Sequence, residues 1–118
     1  MTAKSVYIKN DYLQPNHLPT LRGLAWCYLS IGDYQKADEY DLVILSSEKA
    51  QSNDFLNAGH CSLLRNDIPS ALLYYQEYLH KKSLDYAPAT LFDDDNVFLS
   101  ARGVNATTQR LVIDLLNL

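Results

Sequence analysis

The chain has 118 residues, 47% of them hydrophobic and 20% charged, with a formal net charge of −4. That length suits one domain with a core of its own, and the apolar content excludes a disordered chain. The acidic balance excludes the electrostatic footprint of a nucleic-acid or anionic-membrane binder, and no apolar run reaches the ~18 residues of a membrane span.

Residues 2–17 carry little pattern of their own and are legible only through the period of the chain after Leu18. The first clear element begins at Leu18, where Leu21, Leu24, Ala25, Tyr28 and Ile31 fall at the spacing of one helical face. Gly32 then tolerates the left-handed backbone that ends a helix, and Asp33 suits the N-cap of the next. The segment IGDYQKADEY, 31–40, returns in looser form as NDIPSALLYY, 66–75. Asn66 replaces Gly32 as the residue tolerant of positive φ, Asp67 repeats the cap, and Pro69 sits in a first turn where its missing N–H costs little. The same offset of 34 pairs Leu21 with Phe55, Ala25 with Gly59, Cys27 with Cys61, Tyr34 with Ile68, Ala37 with Ala71, Ile44 with Tyr78 and Leu45 with Leu79, without a gap. Cys27 and Cys61 would then stand about one helix diameter, ~10 Å, apart, too far for a disulfide, and read as reduced packing residues.

A gapless 34-residue helix–turn–helix period of this kind resembles the tetratricopeptide repeat. Leu21, Leu24, Ala25, Tyr28, Gly32, Tyr34 and Ala37 stand at its signature places in the first unit, and Phe55, Gly59, Asp67, Ala71, Tyr75 and Tyr78 in the second. Leu21 and Phe55 replace the family's usual tryptophan, Asp41 replaces its late aromatic, and the closing proline is missing near Lys49 and Ser83. The resemblance covers roughly residues 2–83. It implies an all-α, right-handed solenoid with repeats at 18–51 and 52–85. Residues 2–17, with Ala3 34 positions before Ala37 and Pro15 at the terminal proline place, read as the second helix of a truncated repeat. Either the chain is the C-terminal part of a longer bacterial array, the favoured reading, or this helix covers the end alone.

Beyond residue 85 the frame fails. Residues 86–118 read as a capping pair: a helix over 88–102 with Asp93, Asp94 and Asp95 in its first turn, stopped at Gly103, then a helix over 106–117 capped by Asn105. Leu111, Val112, Leu115 and Leu116 share one side of that last helix.

Chemistry is weakly signalled. Cys27 and His60 form the only conceivable nucleophile–base pair, and a packed cysteine beside a groove histidine is the plainer reading. No metal spacing such as CxxC or HExxH occurs, the aspartate triplet lacks a calcium-loop pattern, and no cofactor is indicated. Asn105-Ala106-Thr107 matches a glycosylation acceptor, but reads as a helix cap.

In the family's frame, the concave groove is lined by Arg22, Trp26 and Leu29 from the first unit and by Leu56, His60 and Leu63 from the second, with Asn57 at its margin. The resemblance thus implies a non-catalytic protein–protein interaction module that holds a peptide or helix there. Trp26, Leu29, Leu56 and Leu63 would supply apolar burial, while Arg22 and His60 select polar or acidic groups. Trp26 and His60 occupy two places used by a carboxylate clamp in some members, so that clamp is not expected. An equal alternative has the groove covered by the chain's own C-terminal helices or by upstream repeats. A small secretion chaperone and a structural end-cap of a larger scaffold are the competing roles, and self-association is left open. With no hydrophobic signal core, the expected location is the cytoplasm.

Overall fold

The computed structural model describes residues 17–84 and 90–116. Six helices follow one another: α1 (Leu18–Ser30), α2 (Tyr34–Leu45), α3 (Ser52–Leu64), α4 (Ile68–Leu84), α5 (Asn96–Ala101) and α6 (Ala106–Leu115), with no strand among the described residues. The protein is therefore all-helical. The expectation for the segment before His17 lies outside the described residues.

Local chemistry sets the helix ends, and it does so twice in the same way. Gly32 sits at φ +86° and Asn66 at φ +63°, the left-handed conformation that turns the backbone out of a helix. One residue on, the N–H of Asp33 donates to the Tyr28 carbonyl at 2.9 Å and that of Asp67 to the Ser62 carbonyl at 2.8 Å, satisfying carbonyls the helix leaves open. The Asp33 carboxylate then accepts from the Lys36 N–H and the Asp67 carboxylate from the Ser70 N–H. A third turn repeats this plan at Gly103, φ +99°, with Val104 N–H on the Leu99 carbonyl and Asn105 capping α6 through the Thr108 N–H.

Side chains then pair the helices. α1 packs on α2, α2 on α3 and α3 on α4, while α6 touches α4. Between the first three helices the core holds Leu24, Tyr28, Leu29, Ala37 and Cys61, with Leu21, Ala25 and Ile44 beside it. A larger cluster around α4 gathers Leu63, Ala71, Tyr75, Tyr78, Leu91, Phe92, Leu99, Val104 and Val112. Burying one such leucine or phenylalanine contributes about 1.5–3 kcal/mol, so the C-terminal segment is anchored by several of them. Ala37 and Ala71, equivalent by the 34-residue offset, are both buried, 1% and 0% exposed. An ion pair of Arg65 with Asp38, 2.9 Å, ties α3 to α2 at the surface.

The capping segment differs from its sequence reading. Its first helix covers only Asn96–Ala101, and Asp93 to Asp95 lie in the turn before it rather than in its first turn. Leu91 and Phe92 cause this. Both are buried, and a turn rather than a helix lets them insert together into the α4 cluster.

Candidate functional site

The residues expected to line the groove divide into two groups. Leu29 and Leu63, one offset apart, are 4% and 5% exposed and belong to the core. His60 is 3% exposed, and both its ring nitrogens are engaged: Nε2 donates to Asp95 Oδ2 at 3.1 Å, and Nδ1 shares a 2.7 Å hydrogen bond with the Tyr75 hydroxyl. Its ring also stacks on Phe92 at 5.9 Å. These three side chains are turned away from solvent, so His60 is not placed to select polar groups of a ligand. The bond from His60 holds the Asp95 carboxyl below its usual range, and burial pushes the Tyr75 hydroxyl well above its own.

The second group stays at the surface. Trp26 is 45% exposed although its ring stacks on Phe98 at 5.0 Å, with an interplanar angle of 28°. The Arg102 guanidinium lies 3.7 Å from the Phe98 centroid and donates to the Ser30 carbonyl at 3.4 Å, which joins the C-terminal segment to the end of α1. Arg22 is half-buried and committed: Nε and a terminal nitrogen each donate to Asp54 at 2.8 Å. That bond holds the guanidinium above its usual pKa. Asp54 also accepts from the Gln51 N–H at the start of α3, so helix capping aims the carboxylate at Arg22. Arg22 is thus a strut between α1 and α3. Leu56 and Asn57 are half-buried on α3.

Two hollows border this face. A narrow one of about 20 Å³ is lined by Arg22, Ala25, Trp26, Leu29, Asp41, Ile44, Asp54 and Asn57. An open cleft of about 400 Å³ is lined by Asn53, Leu56, Asn57, Tyr78, Lys82, Thr90, Asp94 and Asp95. Asn57 borders both, so Trp26, Asn57 and Leu56 form a continuous strip between them.

The narrow hollow has a cause that the 34-residue sequence offset makes visible. The Tyr75 ring fills the space over Gly59, where an added Cβ would stand 2.6 Å from Cδ1 of that ring and closer still to Cε1. Thirty-four positions earlier stand Ala25 and Asp41. The alanine methyl excludes a ring, a carboxyl takes its place, and a gap remains. Asp41 is 7% exposed and makes no side-chain hydrogen bond or ion pair with another described residue, yet no buried polar atom is left unsatisfied among the described residues, so what remains of its exposure is at the hollow it lines. Burial, then the fields of Asp38 and Asp54, push its pKa up to about 8.

Sequence reasoning named Trp26, Arg22, Leu56 and Asn57 on this face but missed Asp41, Asp54 and Phe98. Asp41 had a signal, since a carboxylate stood in an aromatic place. Phe98 had none, because it lies beyond the segment that the 34-residue offset covers. The Cys27–His60 pair is not made, as His60 is fully occupied. Cys61 is buried, donates to the Tyr34 carbonyl at 3.4 Å and has its thiol pKa pushed up to about 12. Both cysteines are free. Among the described residues no group of histidine, cysteine and carboxylate side chains could hold a metal, and no helix is long and apolar enough to cross a membrane. No family model matches the chain, and no curated protein or solved structure is significantly similar to it.

Proposed function

We propose that this chain is a tetratricopeptide-type right-handed solenoid acting in the cytoplasm as a non-catalytic interaction module, with a partner peptide or helix lying along Trp26, Asn57 and Leu56. The observation that carries this reading is the half-exposed Trp26 on the wall of a hollow that Asn57 shares with the neighbouring cleft. Tryptophan is the side chain most enriched at binding hot spots, where a rigid ring gives up water at little entropic cost. The like geometry of the Gly32 and Asn66 turns, one 34-residue offset apart, supports the repeat assignment. The binding strip is narrower than the sequence implies, because Leu29, His60 and Leu63 serve the core.

Selection of displayed random peptides on the full chain tests this. Enriched peptides should lose at least about tenfold in affinity, 1.4 kcal/mol, on Trp26→Ala, with helicity by circular dichroism unchanged. Peptides indifferent to that substitution, or no enrichment, would remove the proposal.

A second reading is a structural end-cap of a larger scaffold. It is favoured by the way residues 90–102 lie on the first helices, through Phe98 on Trp26 and Asp95 on His60. It predicts that Trp26→Ala lowers stability and leaves peptide capture unaffected. A small secretion chaperone is a variant of the first reading, and would show one dedicated unstable client protected through the same strip.

A further inference from the structure

We infer that the hollow beneath Trp26 is a receptor for the ammonium group of a lysine side chain carried by the docked segment, with the Asp41 carboxylate as its counter-charge. This rests on the reading of the Trp26 strip as the docking surface, and specifies what the docked segment must carry.

Size comes first. A volume of about 20 Å³ holds one water-sized group, which an ammonium matches and a planar guanidinium exceeds. Chemistry comes second. An ammonium has three donors and no acceptor, and the hollow offers the Asp41 carboxyl, which no other described residue pairs with, the Asn57 amide and the Trp26 ring, whose face attracts cations. Arg22 does not oppose entry, because Asp54 already neutralises it through two hydrogen bonds. With Asp41 ionised, the lining therefore carries one uncompensated negative charge, and one lysine cancels it.

The second repeat unit supplies an internal control. There Tyr75 stands in the place of Asp41 and His60 in that of Trp26, and the Tyr75 hydroxyl meets His60 in a closed, buried pair. In the first unit the corresponding space is a hollow that the half-exposed Trp26 helps to line, and its carboxyl makes no hydrogen bond to another described residue. A lysine from outside would complete in the first unit what the second completes internally.

The pH dependence comes from the groups around Asp41. Among the described residues, Arg22 on α1, Asp38 on its own helix, Asp54 and Cys61 on α3, Arg65 at the end of α3 and Tyr74 on α4 are the titratable or charged groups around it. Of these Arg22 and Arg65 are cationic, and Asp54 and Asp38 hold them, so the Asp41 carboxyl keeps its proton at neutral pH. An entering ammonium displaces that proton to solvent, and the ion pair forms within the hollow. Affinity therefore rises by up to about tenfold per pH unit from pH 6 until it levels near the Asp41 pKa of about 8.

The test uses the full chain and two probes. n-Butylammonium is titrated while the Trp26 indole N–H resonance is followed, with n-butanol and n-butyltrimethylammonium as neutral and oversized controls. A saturable shift with n-butylammonium alone, lost in Asp41→Asn and in the hollow-filling pair Ala25→Gly/Asp41→Tyr, supports the receptor. No saturable shift, or one that persists in both folded variants, overturns it and means the hollow holds only water. Selected peptides give the second arm. Replacing one lysine by norleucine should cost roughly tenfold or more in the wild type and much less in Asp41→Asn. Peptides that depend on Trp26 but not on any lysine would leave the interaction module standing and remove the lysine receptor.

Discussion

The ring of the buried Tyr75 rests directly on the backbone of Gly59, with no room between them for a methyl group. The ring is fixed on two sides, by the 2.7 Å hydrogen bond to His60 and by edge-on packing against Phe92 at 5.8 Å. It cannot yield to a larger neighbour. Gly59→Ala gains up to about 1 kcal/mol in helix propensity, but the overlap outweighs that gain. The expected net loss is about 1–3 kcal/mol, read as a lower urea midpoint with an unchanged slope.

Asp41 makes the protein less stable as pH rises through a defined window. Its folded-state pKa is about 8 and its ordinary value 3.8, so between these values the folded chain binds more protons than the unfolded one. Stability falls wherever that holds, and the contribution of the neutral carboxyl is fully present only below about pH 4. Asp41→Asn keeps the shape and removes the titration. Its thermal midpoint should exceed the wild type by about 5 °C or more at pH 8 and match it at pH 3. Equal differences at both pH values would mean that Asp41 is not buried in its neutral form.

At the left-handed turn residues Asn66 and Gly32, losing and gaining a Cβ have opposite effects. Asn66 at φ +63° pays a backbone penalty that glycine does not, so Asn66→Gly is expected to be neutral or slightly stabilising. Gly32→Ala forces a Cβ into φ +86°, where no neighbour lies within 4 Å, so its cost is conformational alone. That cost is about 1–2 kcal/mol, measurable by chemical denaturation.

Trp26 is the chain's single tryptophan and reports on how the C-terminal segment sits. Phe98→Ala removes its stacking partner, so Trp26 emission should shift to the red while helicity is kept. Asp95→Asn weakens the hold of the same segment on His60 by about 1 kcal/mol. If it leaves emission and stability unchanged, the segment is held by its buried apolar side chains, Leu91, Phe92 and Leu99 among them, and by the Phe98 and Arg102 contacts, without help from Asp95.

Much of this architecture was written locally. The helix stops at Gly32, Asn66 and Gly103, the caps at Asp33, Asp67 and Asn105, and the six boundaries they set depend on each residue's own φ preference and on side chains reaching three residues ahead. The periodic spacing of small and apolar residues marked Leu24, Ala37, Ala71 and Tyr75 as interior for the same reason, since a helical face is fixed by its own sequence.

The remainder was decided by contacts between residues distant in the chain. Whether His60 faced a ligand or the core turned on Asp95, 35 positions away, and the partial cover of Trp26 turned on Phe98. The hollow at Asp41 exists because Ala25 keeps a methyl where Gly59 has none, a difference that matters only once α1 and α2 are pressed together. Local preference determines where helices begin and end; which of their side chains are left in solvent is settled by packing, because burial belongs to a pair of surfaces and not to a residue.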